Sequence, residues 1–244
     1  MNLKVMIDLC CIEVKQLRIF LYNFLRRHGY KEIRRGKGYI IAEGNIPACL
    51  IAHLDTVFRH QPSAEQFLFD PKRKVLWSPY GSGFDDRAGV YAIMEIIEAG
   101  YRPHIVFTEG EEYGGIGANQ LVEDFPKCPF NKCKALIELD RANSDDMVFY
   151  DCDNEKFEEF IGKFGFVADI GSFTDISIIA PEWEIAAVNL SVGYLDEHTV
   201  SERLHTTWCD ATIDKVKNIL IEINKKSVKP YKYIKLDYNS YYKC

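Results

Sequence analysis

Cys49-Leu50-Ile51-Ala52-His53-Leu54-Asp55-Thr56 is the stretch whose reading decides the fold. Four apolar residues, the length of a fully buried strand, run directly into a histidine and an aspartate. The same succession returns three times along the chain. Ile105-Val106-Phe107 is followed by Thr108-Glu109-Gly110-Glu111-Glu112, Leu136-Ile137-Glu138-Leu139 by Asp140, and Ala187-Val188-Asn189-Leu190 by a loop that holds His198. In layered α/β proteins functional side chains collect just past the carboxyl ends of strands. These four strand ends are therefore expected to converge on one sheet edge.

Between the apolar runs lie helical patterns. From Ile12 to His28 the residues Leu17, Phe20, Leu21, Phe24 and Leu25 recur at three and four, and Gly29 follows as a stop. A second helix is expected from Ala88 to Ala99, ended by Gly100, and Ile213, Val216, Leu220 and Ile223 mark a closing one. Strands are expected at Tyr39 to Ala42, Cys49 to Ala52, His104 to Phe107, Ala135 to Leu139, Met147 to Tyr150 and Glu184 to Val188. This alternation predicts an α/β fold, a three-layer α/β/α sandwich around a mixed, mostly parallel sheet. With no internal repeat and no linker rich in Pro, Gly or Ser, residues 1–244 read as a single domain. Its last stretch, 228–244, is a Tyr-rich tail (Tyr231, Tyr233, Tyr238, Tyr241, Tyr242) expected to dock on that domain.

Composition narrows the function classes. The 244 residues are 47% hydrophobic and 27% charged, which excludes disordered, collagen-like and coiled-coil chains. Thirty basic against 36 acidic residues, with no basic stripe, argue against nucleic acid or an anionic membrane as partner. No window reaches the roughly 18 apolar residues of a membrane span. The first eleven residues mix Lys4 and Asp8 into their apolar positions and lack a secretory leader pattern, so a cytoplasmic location is expected. Eight scattered cysteines then read as reduced thiols. Cys128 and Cys133 have nearly the spacing of half a structural zinc site, but no second pair follows at matching spacing.

Two histidines and several carboxylates at one sheet edge make a divalent-metal constellation. A further acidic site, Gly83-Phe84-Asp85-Asp86-Arg87-Ala88-Gly89, stands immediately before a helix. Imidazole with carboxylate suits zinc, and also cobalt or manganese. Two ions can sit close together only if a bridging carboxylate divides their charge, and Asp85 is the natural bridge, with Asp86 the alternative one residue on. Asp55, two residues past His53 in an extended segment, faces the same way and is placed to fix the imidazole tautomer. The adjacent Glu111 and Glu112 supply two functions, one carboxylate for metal and one free to take the proton of an attacking water. Glu109, Glu138 and Asp196 fall outside this set, and His28, His60, His104 and His205 read as structural or exposed. Gly114, Gly115 and Gly117 lack the Gly-Lys-Ser/Thr ending of a phosphate loop, so tight packing explains them better.

Five segments in order resemble the motifs of the co-catalytic zinc exopeptidases of clan MH, which include zinc aminopeptidases, tripeptidase-like and dipeptidase-like enzymes and aminoacylases. They are Ala52 to Val57, Asp85 to Gly89, Thr108 to Ala118, Glu138 to Asp140 and Gly193 to Thr199, and the likeness covers about residues 1–226. The resemblance implies Asp85 as bridging ligand, His53 and Asp140 on one ion, Glu112 and His198 on the other, Glu111 as general base and Asp55 as the aspartate that orients His53. It also implies a cis peptide between Asp85 and Asp86. Gly171-Ser172-Phe173-Thr174-Asp175 is similar to a Gly-Ser-Thr-Asp segment near the family's site, with Phe173 inserted.

The chain departs from the lidded members. Residues 141–197 must supply sheet and helices, which leaves no room for an inserted lid or dimerisation domain of roughly 50 residues. Groups that bind a substrate carboxylate or oxyanion must come from elsewhere, with Tyr194, Arg87 and Arg141 as candidates. The expected function is dinuclear metal-dependent hydrolysis of a terminal peptide bond, with aminopeptidase first, N-acyl amino acid or related amide deacylase second, and an inactive metal-binding scaffold third. The expected cofactors are two divalent ions, zinc first with cobalt or manganese compatible. The expected partner is a small peptide or N-acyl amino acid, and a homo-oligomer is expected to use surface helices or the tail.

Overall fold

The computed structural model describes residues 1–237. Three apolar runs at its centre form parallel strands, β3 (Ile46–His53), β6 (Pro103–Thr108) and β7 (Leu136–Arg141), and β10 (Ala187–Ser191) extends them. Around them lie β1 (Ile33–Gly36), β2 (Tyr39–Ala42), β8 (Asp146–Val148) and β9 (Val167–Ala168). The order β1-β2-β6-β3-β7-β10-β8-β9 makes one mixed sheet, antiparallel at β1-β2, β2-β6 and β10-β8 and parallel elsewhere. Both faces are covered, and so the central strands carry apolar side chains on both sides rather than alternating with polar ones. Leu50 and Ala52 enter one core, while Cys49 and Ile51 enter the other.

Among the described residues seven α-helices form the outer layers: α1 (Leu3–Cys11), α2 (Val14–Arg27), α3 (Phe84–Glu98), α4 (Ile116–Asp124), α5 (Glu155–Gly162), α6 (Ile176–Trp183) and α7 (Thr206–Ile223). α3 and α7 press on one face of the sheet with Leu17, Leu21, Phe24 and Leu25 of α2, and α4 and α6 cover the other. The expected α/β/α sandwich is what forms. α2 stops where the periodicity ends, with Gly29 in the left-handed region at φ 87°.

Some boundaries differ from the sequence reading. The strand expected at Glu184 to Val188 begins only at Ala187, because Glu184 turns left-handed to close α6 and Ile185 bridges Lys232 in the tail. The run Met147 to Tyr150 keeps strand geometry only to Val148 and then turns, Tyr150 having φ 48°. A second sheet went unread: β4 (Leu68–Asp70), β5 (Val75–Trp77), β11 (Tyr194–Leu195) and β12 (Arg203–His205) pair antiparallel in the order β11-β12-β5-β4. Residues 141–197 are spent on β8, α5, β9, α6, β10 and β11. Tyr231 packs on Phe157 and Phe160 of α5, whereas Tyr238, Tyr241 and Tyr242 lie outside the described residues. Among the described residues no helix is long and apolar enough to cross a membrane, and seven cysteines carry free thiols.

Candidate active site

The parallel strands β3, β6, β7 and β10 lie side by side and end at the same edge of the sheet. His53 closes β3, Glu111 and Glu112 follow β6 on a single 3-10 turn, Asp140 lies near the end of β7, and His198 follows β10 and β11. Asp85 meets them from the start of α3, where it and Asp86 leave helical geometry and the peptide between them is cis.

Two groups of ligand-competent atoms result, and they share Asp85. One comprises His53, Asp85 and Asp140, the other Asp85, Glu112 and His198. Asp85 Oδ1 lies 3.0 Å from His53 Nε2, and Asp85 Oδ2 lies 3.0 Å from His198 Nε2. His53 Nε2 is also 3.5 Å from Asp140 Oδ1, and His198 Nε2 is 3.1 Å from Glu112 Oε2. One carboxylate thus turns an oxygen to each histidine, as a bridge between two cations requires. The five residues implied by the resemblance are the five brought together here.

Other side chains hold these residues in place. Asp55 Oδ1 stands 3.5 Å from His53 Nδ1, and the same carboxylate accepts from the backbone N–H groups of Gly110 (2.7 Å), Glu111 (3.4 Å) and Glu112 (3.3 Å). It therefore both faces the first histidine and fixes the turn that presents the two glutamates. Asp86 takes no part in either group; its carboxylate accepts from His53 N (3.1 Å) and Gly89 N (2.9 Å). Asn189 grips Asp140 on both sides, accepting from its N–H at 2.9 Å and donating to its carbonyl at 2.8 Å. Tyr194 donates to Asp140 Oδ1 at 3.0 Å, and Thr174 is 2.9 Å from Asp140 Oδ2 and 2.8 Å from a Glu138 oxygen. Asp175 pairs with the Thr108 hydroxyl. The segment with the inserted Phe173 thus lies against the site.

Electrostatically the site is crowded with acid. Burial pushes Glu111 up to about 8, with the charge of Asp140 adding to it, and pushes Glu112 up to about 7, with Asp85 adding. Burial also opposes the ionised form of Asp85, yet the hydrogen bonds from His198 and His53 hold it below the usual carboxylate range. The hydrogen bond to Asp85 raises His198 to about 9. Glu112 Oε1 is buried without a protein partner. Clustered carboxylates with two imidazoles and an orphaned buried oxygen are a donor set that fits hard-to-borderline divalent cations.

The candidates for binding a substrate carboxylate or oxyanion do not survive in that role. Arg87 is wholly buried and donates to the Leu9 carbonyl at 3.0 Å, on the far side of α3 in α1. Tyr194 is buried and directed at Asp140. Arg141 is engaged with Asp169 at 2.5 Å and with the Ile170 carbonyl. Residue type and proximity to the motifs suggested these residues, and their partners come from segments the sequence does not bring near. Glu109 pairs with Arg18 at 2.7 Å, and Asp196 pairs with Arg203. Sequence reasoning missed Asn189 and Glu202 as supports of the site, while Thr174 lies in the segment whose likeness placed it nearby. A signal existed for Asn189, a polar residue inside the apolar run of a central strand.

No protein-family model and no curated protein sequence matches the chain. Solved structures do. The aminopeptidase PepT from Bacillus cereus superposes with a TM-score of 0.73 at 15% identity, over 91% of this chain and 98% of that one. A tripeptidase from Staphylococcus aureus gives 0.73 at 14% identity, over 91% and 97%. A zinc-dependent exopeptidase from Parabacteroides distasonis gives 0.56 at 16% identity, over 84% and 89%. At such identities the likeness is one of fold, and the fold is the one the motifs imply.

Proposed function

We propose that this chain, built on the fold of zinc exopeptidases, is a dinuclear metallohydrolase that removes the amino-terminal residue of small peptides. The observation that carries the reading is Asp85, whose two oxygens each face a histidine of a separate ligand group at 3.0 Å, with Glu111 beside them and outside both groups. In this reading His53 and Asp140 hold one ion, Glu112 and His198 the other, and Asp85 both; zinc suits the set, and cobalt or manganese are compatible. When bound, such ions polarise the scissile carbonyl and make water a usable nucleophile at neutral pH. Glu111 takes the proton of the attacking water and passes it to the leaving amine, the role that a carboxylate outside the ligand groups is free to fill. Asp55 keeps His53 in one tautomer and Glu111 at its post through the turn it caps.

Charge decides between an amine-bearing and a carboxylate-bearing substrate. Carboxylates dominate the site; Arg141 and Arg18 are engaged in ion pairs, and Arg87, which gives Nη1 to the Leu9 carbonyl and leaves Nε and Nη2 without a partner, is wholly buried. With the two proposed ions bound, their charge offsets the ligand carboxylates, so the acid left to meet a free α-ammonium group is Glu111, outside both groups, while none of these three guanidinium groups is both exposed and unpaired to meet the anionic end of an N-acyl amino acid. Two structures that share the fold are an aminopeptidase and a tripeptidase, which is compatible with this choice.

The test combines elemental analysis of purified protein with a panel of aminoacyl and N-acyl chromogenic substrates, with and without chelator. Close to two ions per chain and chelator-sensitive aminoacyl cleavage support the proposal. N-acyl cleavage alone moves the chain to the deacylases, and metal without any turnover moves it to a binding role.

A further inference from the structure

We infer that Glu202 is a positioning residue that sets the two halves of the metal centre in register. The inference rests on the two-ion reading above. Glu202 is 0% exposed and lies between His198 and β12. Its Oε2 accepts from Gly83 N at 2.6 Å and its Oε1 from Asp85 N at 2.8 Å. These N–H groups open α3, where the first turn has no partner of its own within the helix. A cap residue with a side-chain oxygen ordinarily meets this need, but the cap position here is Gly83, which has none. A carboxyl group remote in sequence supplies what the local sequence lacks.

Main-chain contacts bind Glu202 to the same knot and to His198. Ser82 Oγ donates to the Glu202 carbonyl at 3.1 Å, and Glu202 N donates to the Thr199 carbonyl at 3.2 Å. Thr199 follows His198, which sits in the left-handed region at φ 63° with its side chain 52% exposed. The path from His198 through Thr199 and Glu202 to Asp85 N is therefore short and hydrogen-bonded. Asp85 contributes to both ligand groups, so a displacement of its backbone alters its geometry toward both His53 and His198. Tyr194 and Thr174, by contrast, support Asp140 and so only one group.

The experiment titrates the metal-free full-length chain with Co(II) against a chromophoric chelator, following the cobalt d–d absorption, for wild type, Glu202→Gln and Ser82→Ala. Melting of each metal-free protein is measured alongside. In Glu202→Gln the amide nitrogen faces a backbone N–H, and the affinities for both ions are expected to fall at least ~10-fold with a changed cobalt spectrum. Ser82→Ala loosens the same knot without touching the Asp85 contact; it should lower the melting temperature and leave affinities and spectrum in place. If Glu202→Gln does not yield folded protein, Glu202→Asp, one methylene short of its two acceptor positions, takes its place with the same expectation. Wild-type affinities and spectrum in the Glu202 variant overturn the inference while leaving the two-ion reading standing. So does a loss that Ser82→Ala matches, which marks the residue as a structural cap only. A wild-type chain that takes up no Co(II) overturns the two-ion reading, and this inference with it.

Discussion

His104 should make the fold acid-sensitive by an amount that can be worked out. It lies on β6, buried, with its ring stacked on Phe130 at 4.6 Å and an interplanar angle of 8°. Gly44 N donates to Nδ1 at 3.2 Å, so the neutral ring carries its proton on Nε2, an atom buried without a partner. Burial pushes the imidazole down to about 4 from its ordinary 6.5, although the charge of Glu43 acts the other way. Between those values the unfolded chain binds the proton and the folded chain refuses it. Stability from this residue is thus complete above about pH 6.5, declines as pH falls through the interval, and is gone below about pH 4. The full span corresponds to about 3 kcal/mol, of which about 2 kcal/mol is lost by about pH 5. His104→Phe keeps the stack and removes the titration. Urea unfolding of both proteins in chelator, at about pH 7.5 and about pH 5, gives the double difference, in which every other titrating group cancels. Wild type should lose about 2 kcal/mol more than the variant on acidification. Equal losses refute the reasoning.

Three further outcomes are expected. Glu111→Gln should lower kcat by about 10²-fold or more while elemental analysis finds the metal content of wild type; unchanged turnover removes Glu111 from the chemistry. Tyr194→Phe deletes the 3.0 Å donor to Asp140 and should weaken one of two calorimetrically resolved ions by about 10-fold or more, with the other unaffected. Gly89→Ala places a methyl group against the Leu139 carbonyl oxygen and the Asp86 carboxylate, so α3 must lift from β7; a loss of about 3 kcal/mol in unfolding of the metal-free protein is expected, and a loss below about 1 kcal/mol contradicts the packing.

What the sequence discloses is local. β3, β6 and β7 were legible because parallel strands buried on both faces leave nearly continuous apolar runs, and the candidate ligands were legible because His53 and Asp140 follow those runs directly and Glu112 lies in the loop just past one. β4, β5, β11 and β12 were not, since each has only two or three residues, too few to show a period, and the sheet forms by pairing segments far apart, such as Arg203 with Trp77. α6 was hidden by Pro181 inside it, and α1 by charges in an otherwise apolar stretch. The same distinction separates the ligands from Glu202. A ligand announces itself by residue type at a strand end, whereas Glu202 acquires its role from Gly83 and Asp85, which only the folded chain brings to it.

The supports explain how so many acidic groups coexist before any cation arrives. Four of the five proposed ligands are fixed through their backbone by a polar side chain from another segment: His53 by Asp86, Asp85 by Glu202, Glu112 by Asp55 and Asp140 by Asn189. Backbone anchoring leaves the ligand carboxylate oxygens and imidazoles free to face one another, and it resists the repulsion that would otherwise spread them. Cations entering such a site relieve that repulsion without requiring the chain to reorganise. In the proposed reading, Glu111, which belongs to neither ligand group, is the acid that remains to meet an ammonium group. Under the proposed reading, the demand for metal follows from one arrangement: carboxylates brought together by supports that hold them through the backbone.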